Sequence, residues 1–217
     1  MTKSRAVGRE ILFTTDMHLI VKKDKFLSCA SNELRFIYEL SKLLQQKHFN
    51  VIHASGNADV LIVKTAVQFS EDHVTVLVGD DTDLFVLLCY HALPSNKKLY
   101  FSPKPKKGGI AMAWDINNVK LAIGDEVSKL LPVANAMLGC DTTSMVYGLG
   151  KGLSISKLVD CWNYRAEATV FFRPDALHSD ITEAEERAMR ILYSAPEGMT
   201  LHEYRFKIFS EKVASVG

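Results

Sequence analysis

The segment that decides the predicted fold is VTVLVGDDTD, from Val74 to Asp83. Its first half is an apolar run broken by one threonine, and such a run is typical of a strand covered on both faces in a parallel sheet. Gly79 ends the run, and three aspartates follow within four residues. In open α/β sheets, ligands bind outside the carboxyl ends of the strands. We therefore expect a buried strand that leads into an acidic binding turn.

The chain around this segment shows both strand-like and helix-like patterns. Apolar residues at three- and four-residue spacing predict amphipathic helices at 32–47 and 58–69. A second apolar stretch, 84–89, follows the acidic turn. Further strands are predicted at 11–21, 49–53, 99–102 and 110–114, and further helices at 117–123, 125–138, 155–161, 182–193 and 200–213. The order predicts an α/β fold class with a mostly parallel central sheet flanked by helices, and a helical C-terminal half.

The composition is that of an ordinary folded protein without an electrostatic signature. Of the 217 residues, 47% are hydrophobic and 24% are charged, which argues against disorder. Lys and Arg total 26 and Asp and Glu total 25, so any nucleic-acid site must be a local feature. The four cysteines are scattered and lack zinc-ligand spacing, which is typical of reduced thiols in an intracellular protein. No apolar run is long enough for a membrane span or a signal peptide, so neither a membrane nor secretion is expected.

The acidic turn itself has two interpretations. Asp81 and Asp83 are two residues apart, and in an extended turn both carboxylates can point at one position. Converging carboxylates repel each other unless a divalent cation neutralises them, which predicts a hard-metal site. The structural alternative is a strand-to-helix turn in which Asp80 or Thr82 caps the helix and the remaining acids face water.

Two more aspartates extend the acidic set. Asp59 opens the predicted helix at 58–69, and Asp141 follows the predicted helix at 125–138. Taken alone, Asp59 has the simpler interpretation of an acid at a helix start, where the helix dipole favours negative charge. Asp141 alone has the simpler interpretation of a cap.

The four motifs HASGNAD, VTVLVGDDTD, LGCDTTS and YGLGKG occur in this order between residues 53 and 152. In that order they resemble the flap-endonuclease and XPG-like branch of the PIN-like nuclease superfamily. The amino-acid sequence of these motifs is also similar to a group of animal proteins, abundant in arthropods, that derive from mobile elements. The resemblance covers roughly 32–159. It implies a PIN-like, Rossmann-like domain at 1–160 that lacks its N-terminal strand, a helix-hairpin-helix-like element, and a helical extension at 161–217.

The resemblance implies a nuclease site with two metal ions. Asp81, Asp83 and Asp141 would hold one Mg²⁺ or Mn²⁺ ion, and Asp59 would reach towards both ions. The implied activity is phosphodiester hydrolysis of structured nucleic acid, DNA in preference to RNA, in an intracellular and specifically nuclear protein. Two departures leave the first metal shell incomplete: Asn57 stands where the family has an acid, and the upstream catalytic aspartate is absent. The alternative is therefore a non-catalytic nucleic-acid-binding or protein-interaction module derived from such a nuclease.

The glycine hairpin YGLGKG predicts a phosphate contact. Gly148 and Gly150 allow a positive φ and close backbone approach, so that successive N–H groups can face a phosphate. Lys151 and Lys157 lie beside them as point charges. The resemblance implies a grip on duplex phosphates through a bound monovalent cation. The structural alternative is a glycine turn between packed helices.

Overall fold

The computed structural model describes residues 8–94, 97–104, 112–139, 146 and 149–214, with Lys151 and Lys212 described by their backbone alone. The chain divides into two compact units, Met1–Ser55 and Gly56–Gly217.

The first unit contains two helices, α1 (Lys23–Leu27) and α2 (Ala30–Gln46). Its centre is Asn32, which is 1% exposed. The Asn32 amide donates to the Arg9 and Phe26 carbonyls at 2.9 and 3.0 Å and accepts from the N–H of Ile11 at 2.7 Å. The buried Asn32 side chain thus links the N-terminal stretch to the start of α2. Both its amide nitrogen and its amide oxygen form hydrogen bonds, as is usual for buried polar groups.

The second unit carries the acidic turn and consists mainly of helices around a small sheet. Its elements, in chain order, are α3 (Ala58–Asp72), β1 (Thr75–Val78), α4 (Thr82–His91), β2 (Leu99–Ser102), β3 (Trp114–Asp115), α5 (Ile116–Ile123), α6 (Asp125–Met137), α7 (Lys151–Asp160), α8 (Trp162–Val170), α9 (His178–Tyr193) and α10 (Leu201–Ala214).

The sheet has the strand order β1-β2-β3. β1 and β2 are parallel, with Thr75 opposite Leu99, and β2 pairs with the two residues of β3 in the antiparallel sense. Leu77 points into the core at 4% exposure, whereas Val76 and Val78 on the other face are 52% and 62% exposed. β1 is thus covered on one face only, contrary to the expectation for its apolar run.

α4 forms the centre of the second unit, between α3 and α6. Its side chains Val86, Leu88 and Cys89 are at most 1% exposed. A helix that is apolar on nearly all sides is stable only when neighbours cover it, as α3, α5 and α6 do here. This packing carries the first turn of α4, with its aspartates, close to the last turn of α6.

α5 and α6 are joined by a single residue, Gly124, with φ +83° and ψ 158°. This backbone region is accessible essentially to glycine alone. The joint turns the chain so that α6 can pack against α4, α7 and α8. Behind α6, the hydroxyl groups of Ser154 and Tyr164 lie 2.6 Å apart, and both residues are fully buried.

The predicted α/β fold class is wrong. Among the described residues 61% are helical, and the sheet that these residues form has three strands of at most four residues, which does not fit a PIN-like fold around a central parallel sheet. The segments 11–21 and 49–53 form no strand. Phe49 and Ile52 are 62% and 55% exposed, so burial against a sheet does not stabilise an extended conformation there.

Most of the predicted helices are confirmed, as are the strands at 75–78 and 99–102. The predicted strand at 110–114 falls partly outside the described residues, and Trp114 alone of its described part lies in a strand. The boundary predicted between residues 160 and 161 stays a prediction. In the described part of the chain, no helix is both long and apolar enough to cross a membrane.

Candidate functional site

The acidic turn lies between β1 and α4, at the carboxyl end of the strand. Asp81 is the N-cap of α4, and its Oδ1 accepts from the backbone N–H of Asp83 at 2.9 Å. The side chain of Asp81 is exposed. An N-cap carboxylate is stabilised by the N–H groups and dipole of the helix. Because the cap uses one oxygen, Asp81 keeps a second oxygen towards solvent.

Asp80 is turned towards the loop that follows β2. Its Oδ1 accepts from the backbone N–H of Lys104 at 2.8 Å, and its Oδ2 lies 3.7 Å from Lys104 Nζ. Both side chains are more than half exposed, so the ion pair adds little stability. Asp80 therefore ties the two loops at this end of the sheet together.

Asp83 is the buried member of the turn, at 7% exposure. Its Oδ1 accepts from Nδ2 of Asn135 at 2.9 Å, across 52 positions of sequence. Asn135 lies in the last turn of α6 and is itself 8% exposed. A buried carboxylate needs hydrogen-bond donors to offset its lost hydration, and Asn135 supplies one.

The Oδ1 atom of Asn135 is buried and has no hydrogen-bond partner among the described residues. An unpaired buried polar atom costs about 1–3 kcal/mol, so one in a folded protein calls for an explanation. The oxygen is on the same carboxamide as the Nδ2 that donates to Asp83.

Gly79 allows the start of α4 to lie close to the end of β1. A Cβ atom at this position would lie 2.8 Å from Leu84 Cδ1, closer than real contacts allow. Leu84 packs into the core at 7% exposure. Glycine at position 79 therefore lets the first turn of α4 close onto the end of the strand.

Asp59 lies in the first turn of α3 and is half-buried. The preceding Asn57 is the N-cap, and its Oδ1 accepts from the N–H of Val60 at 3.0 Å. Asn57 stands where the resemblance to the PIN-like nucleases would place an acid, and in the structure its side chain caps the helix.

The remaining predicted site residues are only partly described. Asp141 and Gly148 lie outside the described residues, as does the side chain of Lys151. Gly150 is the N-cap of α7 at φ −95°, in open space, so it does not use the positive φ that glycine allows. Lys157 lies in the last turn of α7 and is half-buried. The conformation predicted for the hairpin stays untested.

A divalent cation fits the oxygen donors at the acidic turn by type. The carboxylate oxygens of Asp81 and Asp83 are hard ligands of the kind that Mg²⁺ and Mn²⁺ prefer. Within the described ranges, however, no three His, Cys, Asp or Glu side chains form a group that could hold a metal ion. The described carboxylates alone therefore do not complete a metal centre.

Sequence reasoning missed Asn135. The signal was available, because the helical spacing of α6 places Asn135 beside the buried Leu131, Ala134 and Leu138. A polar residue on an apolar helix face indicates a buried hydrogen bond. Its partner lies 52 positions away and was not apparent from the sequence pattern.

No protein-family model matches this chain, and no solved structure matches it significantly. Among curated proteins, the chain is similar to "Peptide chain release factor 3" from Enterococcus faecalis, with 26% identity over 155 residues. The match covers 71% of this chain and 26% of the release factor. The chain thus aligns with about a quarter of that protein, at an identity that does not establish a shared family.

Proposed function

We propose that this chain is a nucleic-acid-directed domain of the metal-dependent nuclease type, with reduced catalytic capacity. Its acidic turn binds one Mg²⁺ or Mn²⁺ ion through Asp81 and Asp83. Such an ion supplies charge neutralisation at a phosphodiester. The substrate class is structured DNA in preference to RNA, and the compartment is the nucleus.

The observation that carries the proposal is the bond between Asp83 and Asn135. It joins the acidic turn to the last turn of α6, and Asp141 follows that helix by four residues. A third carboxylate from this stretch would supply the ligand that the described residues lack. Asp59 would contribute from the start of α3.

The second candidate is a non-catalytic module derived from such a nuclease. Two observations favour it: the absence of a three-ligand group among the described residues, and the use of Asn57 as a helix cap. Such a module binds nucleic acid or a protein partner without hydrolysis. Mg²⁺ or Mn²⁺ binding with no cleavage would be its signature.

The first experiment is a calorimetric titration of the folded chain with Mn²⁺. We expect one site in the wild type and binding at least tenfold weaker in Asp81→Ala and Asp83→Ala. Asp125→Asn is the matched control, because Asp125 is exposed and pairs with Lys129 at 2.6 Å instead of lying in the turn. Wild-type protein that binds no Mn²⁺, or an Asp81→Ala variant that binds it normally, would refute the cation site.

The second experiment is a cleavage assay with Mn²⁺ on flap, hairpin and single-stranded DNA. Slow cleavage that Asp81→Ala abolishes supports the nuclease, and binding without cleavage supports the module. Rapid cleavage that Asp81→Ala abolishes would contradict the proposed reduction.

The phosphate contact is proposed for α7, through Lys151, Lys157 and the open backbone at Gly150, with a monovalent cation at the hairpin. Lys157→Ala should weaken DNA binding uniformly across sequences and lower the salt slope by about one counterion. Lys207→Ala, an exposed lysine of α10, is the control. Equal salt slopes in the two variants would exclude Lys157 from the interface.

A further inference from the structure

One face of α2 carries an apolar stripe that remains largely exposed. By helical spacing, five side chains form this stripe: Phe36, Ile37, Leu40, Leu43 and Leu44. The first four are 40–47% exposed, and the last is half-buried. A unit as small as the first one buries only part of its apolar surface in a core of its own. Because contiguous exposed apolar surface on a folded protein marks an interaction site, the stripe indicates a docking surface.

A charged residue stands at each end of the apolar stripe. Glu33 comes seven residues before Leu40 and Lys47 comes seven residues after it, so both lie on the same helical face as the stripe, two turns from its centre. Both are exposed, and in the described part of the chain neither forms an ion pair. By contrast, Glu39 and Lys42 lie away from the stripe and pair with each other at 3.5 Å.

We propose that the apolar stripe of α2 docks onto the same stripe of a second copy of this chain. The two helices run antiparallel about a two-fold axis at Leu40, so that one surface patch serves as both halves of the interface. Across the axis the opposing pairs are Phe36 with Leu44, Ile37 with Leu43, and Glu33 with Lys47. Apolar side chains thus meet apolar side chains, and an ion pair closes each end of the interface.

The two end charges favour an antiparallel pair over a parallel one. In a parallel pair, Glu33 would lie beside Glu33 of the second copy and Lys47 beside Lys47, whereas the antiparallel pair joins opposite charges. The helix dipoles also oppose each other in the antiparallel pair. The net charge of +1 gives two copies little overall repulsion. A single helix face is smaller than a standard protein interface, so we expect a dimer of micromolar affinity.

Two other features carry less. A groove of about 520 Å³ beside α4, α6 and α8, with Tyr90 and Phe172 in its lining, shows nothing that indicates its occupant. Phe206, Phe209 and Val213 are exposed on α10, and no pattern of charges there identifies what would cover them.

The first test is sedimentation equilibrium of the full chain at low ionic strength, over a range of protein concentrations. Leu40→Lys places two like charges side by side at the two-fold axis and should weaken dimerisation at least about tenfold. Leu34→Lys is the matched control, because Leu34 is 67% exposed on the same helix but lies outside the stripe. We expect it to dimerise as the wild type does. Circular dichroism of each variant checks that the helices are retained.

The second test exchanges the two end charges and leaves the apolar stripe intact. Glu33→Lys alone and Lys47→Glu alone each set like charges against each other at both ends, so each should weaken dimerisation several-fold at low salt and less at high salt. An equimolar mixture of the two variants restores opposite charges at both ends and should dimerise as the wild type does. Within one helix the two positions are about 20 Å apart, so this rescue requires two copies.

Each outcome decides for or against the second copy as the occupant. Concentration-dependent dimerisation that Leu40→Lys weakens and that the mixture of charge variants restores supports the proposal. A wild type that stays monomeric throughout the micromolar range overturns it and assigns the stripe to a different partner. Dimerisation that Leu40→Lys leaves unchanged, or that Leu34→Lys weakens equally, overturns it because another face then holds the dimer. A mixture that dimerises no better than its separate components overturns the antiparallel arrangement.

Discussion

Asp83 Oδ1 and Asn135 Nδ2 lie 2.9 Å apart in the core of the second unit. The bond joins the first turn of α4 to the last turn of α6, two helices that also share a broad apolar contact. This hydrogen bond thus connects the acidic turn directly to the packing between α4 and α6. Variants of this pair therefore test both the stability of the fold and the proposed cation binding.

We predict a coupling between these two residues in the unfolding free energy, measured without divalent cation. Asp83→Ala leaves the Asn135 donor buried and unpaired, and should cost about 1.5–3 kcal/mol, the range for a hydrogen bond to a charged group. In the double variant with Asn135→Ala, the loss should be smaller than the sum of the two single losses. Urea unfolding of the four proteins gives the cycle, and additive losses would show that the bond contributes nothing.

A second prediction concerns Tyr164 and Ser154. Tyr164→Phe leaves the buried Ser154 hydroxyl without its partner at 2.6 Å and should lower the unfolding free energy by about 1–3 kcal/mol. Adding Ser154→Ala should recover part of the loss, because it removes the unpaired hydroxyl. Thermal and urea unfolding of both variants provide the measurement. A double variant less stable than Tyr164→Phe would contradict the account.

The same tyrosine gives a pH prediction. Burial raises the pKa of Tyr164 above its ordinary value of 10.0, against a smaller opposing effect of the Ser154 hydrogen bond. Above about pH 10 the unfolded chain loses this proton while the folded chain keeps it, so the unfolding free energy falls as pH rises. Tyr164→Phe should make the fall of the unfolding free energy shallower between about pH 9 and about pH 11. Tyr38→Phe, at an exposed position, should not alter it.

The thiol of Cys89 is predicted to be unreactive in the folded chain. Burial raises its pKa from 9.0 to about 12, with a small opposing effect of Lys120. Only the thiolate reacts with iodoacetamide, and Cys89 is fully buried. Peptide mapping by mass spectrometry should find the half-buried Cys161 alkylated first in native buffer, and both thiols alkylated in urea. Equal alkylation rates in the native protein would contradict the burial of Cys89.

His91 should titrate below its ordinary pKa of 6.5. Burial is the main cause of the lowered pKa, and Lys64 and Lys120 add to it by charge repulsion. Below pH 6.5 the unfolded chain binds this proton before the folded chain does, so the unfolding free energy decreases as pH falls. In an NMR titration, Lys64→Met should move the His91 pKa upward, whereas Lys207→Met should leave it unchanged. A His91 pKa above 6.5 in the wild type would contradict both causes.

Sequence patterns predicted the helices well because regular apolar spacing survives into the packed structure. The helix predicted at 125–138 is α6, and its buried positions are those with helical periodicity. Strands need a neighbour as well as an apolar pattern, and 11–21 and 49–53 lack one. The stretch 84–89 became the helix α4, whose start is fixed by the cap at Asp81.

The candidate site was predictable only where its residues are near in sequence. The proximity of Asp81 and Asp83 follows from their spacing. A capped strand-to-helix turn does form, but the cap is Asp81 and not Asp80 or Thr82, and Asp83 is buried instead of facing water. The proximity of Asn135 to Asp83 depends on how α4 and α6 pack, and no local sequence pattern encodes that packing. Whether Asp59 and Asp141 join the turn stays a prediction.

The glycine between α5 and α6 has a consequence for mutational tolerance. At φ +83° and ψ 158°, position 124 should reject every other amino acid in a saturation screen for folded protein. Gly56 and Gly152 have open space where a side chain would begin, and should accept most replacements. Selection for soluble protein alone would thus retain Gly124 and allow other residues at positions 56 and 152.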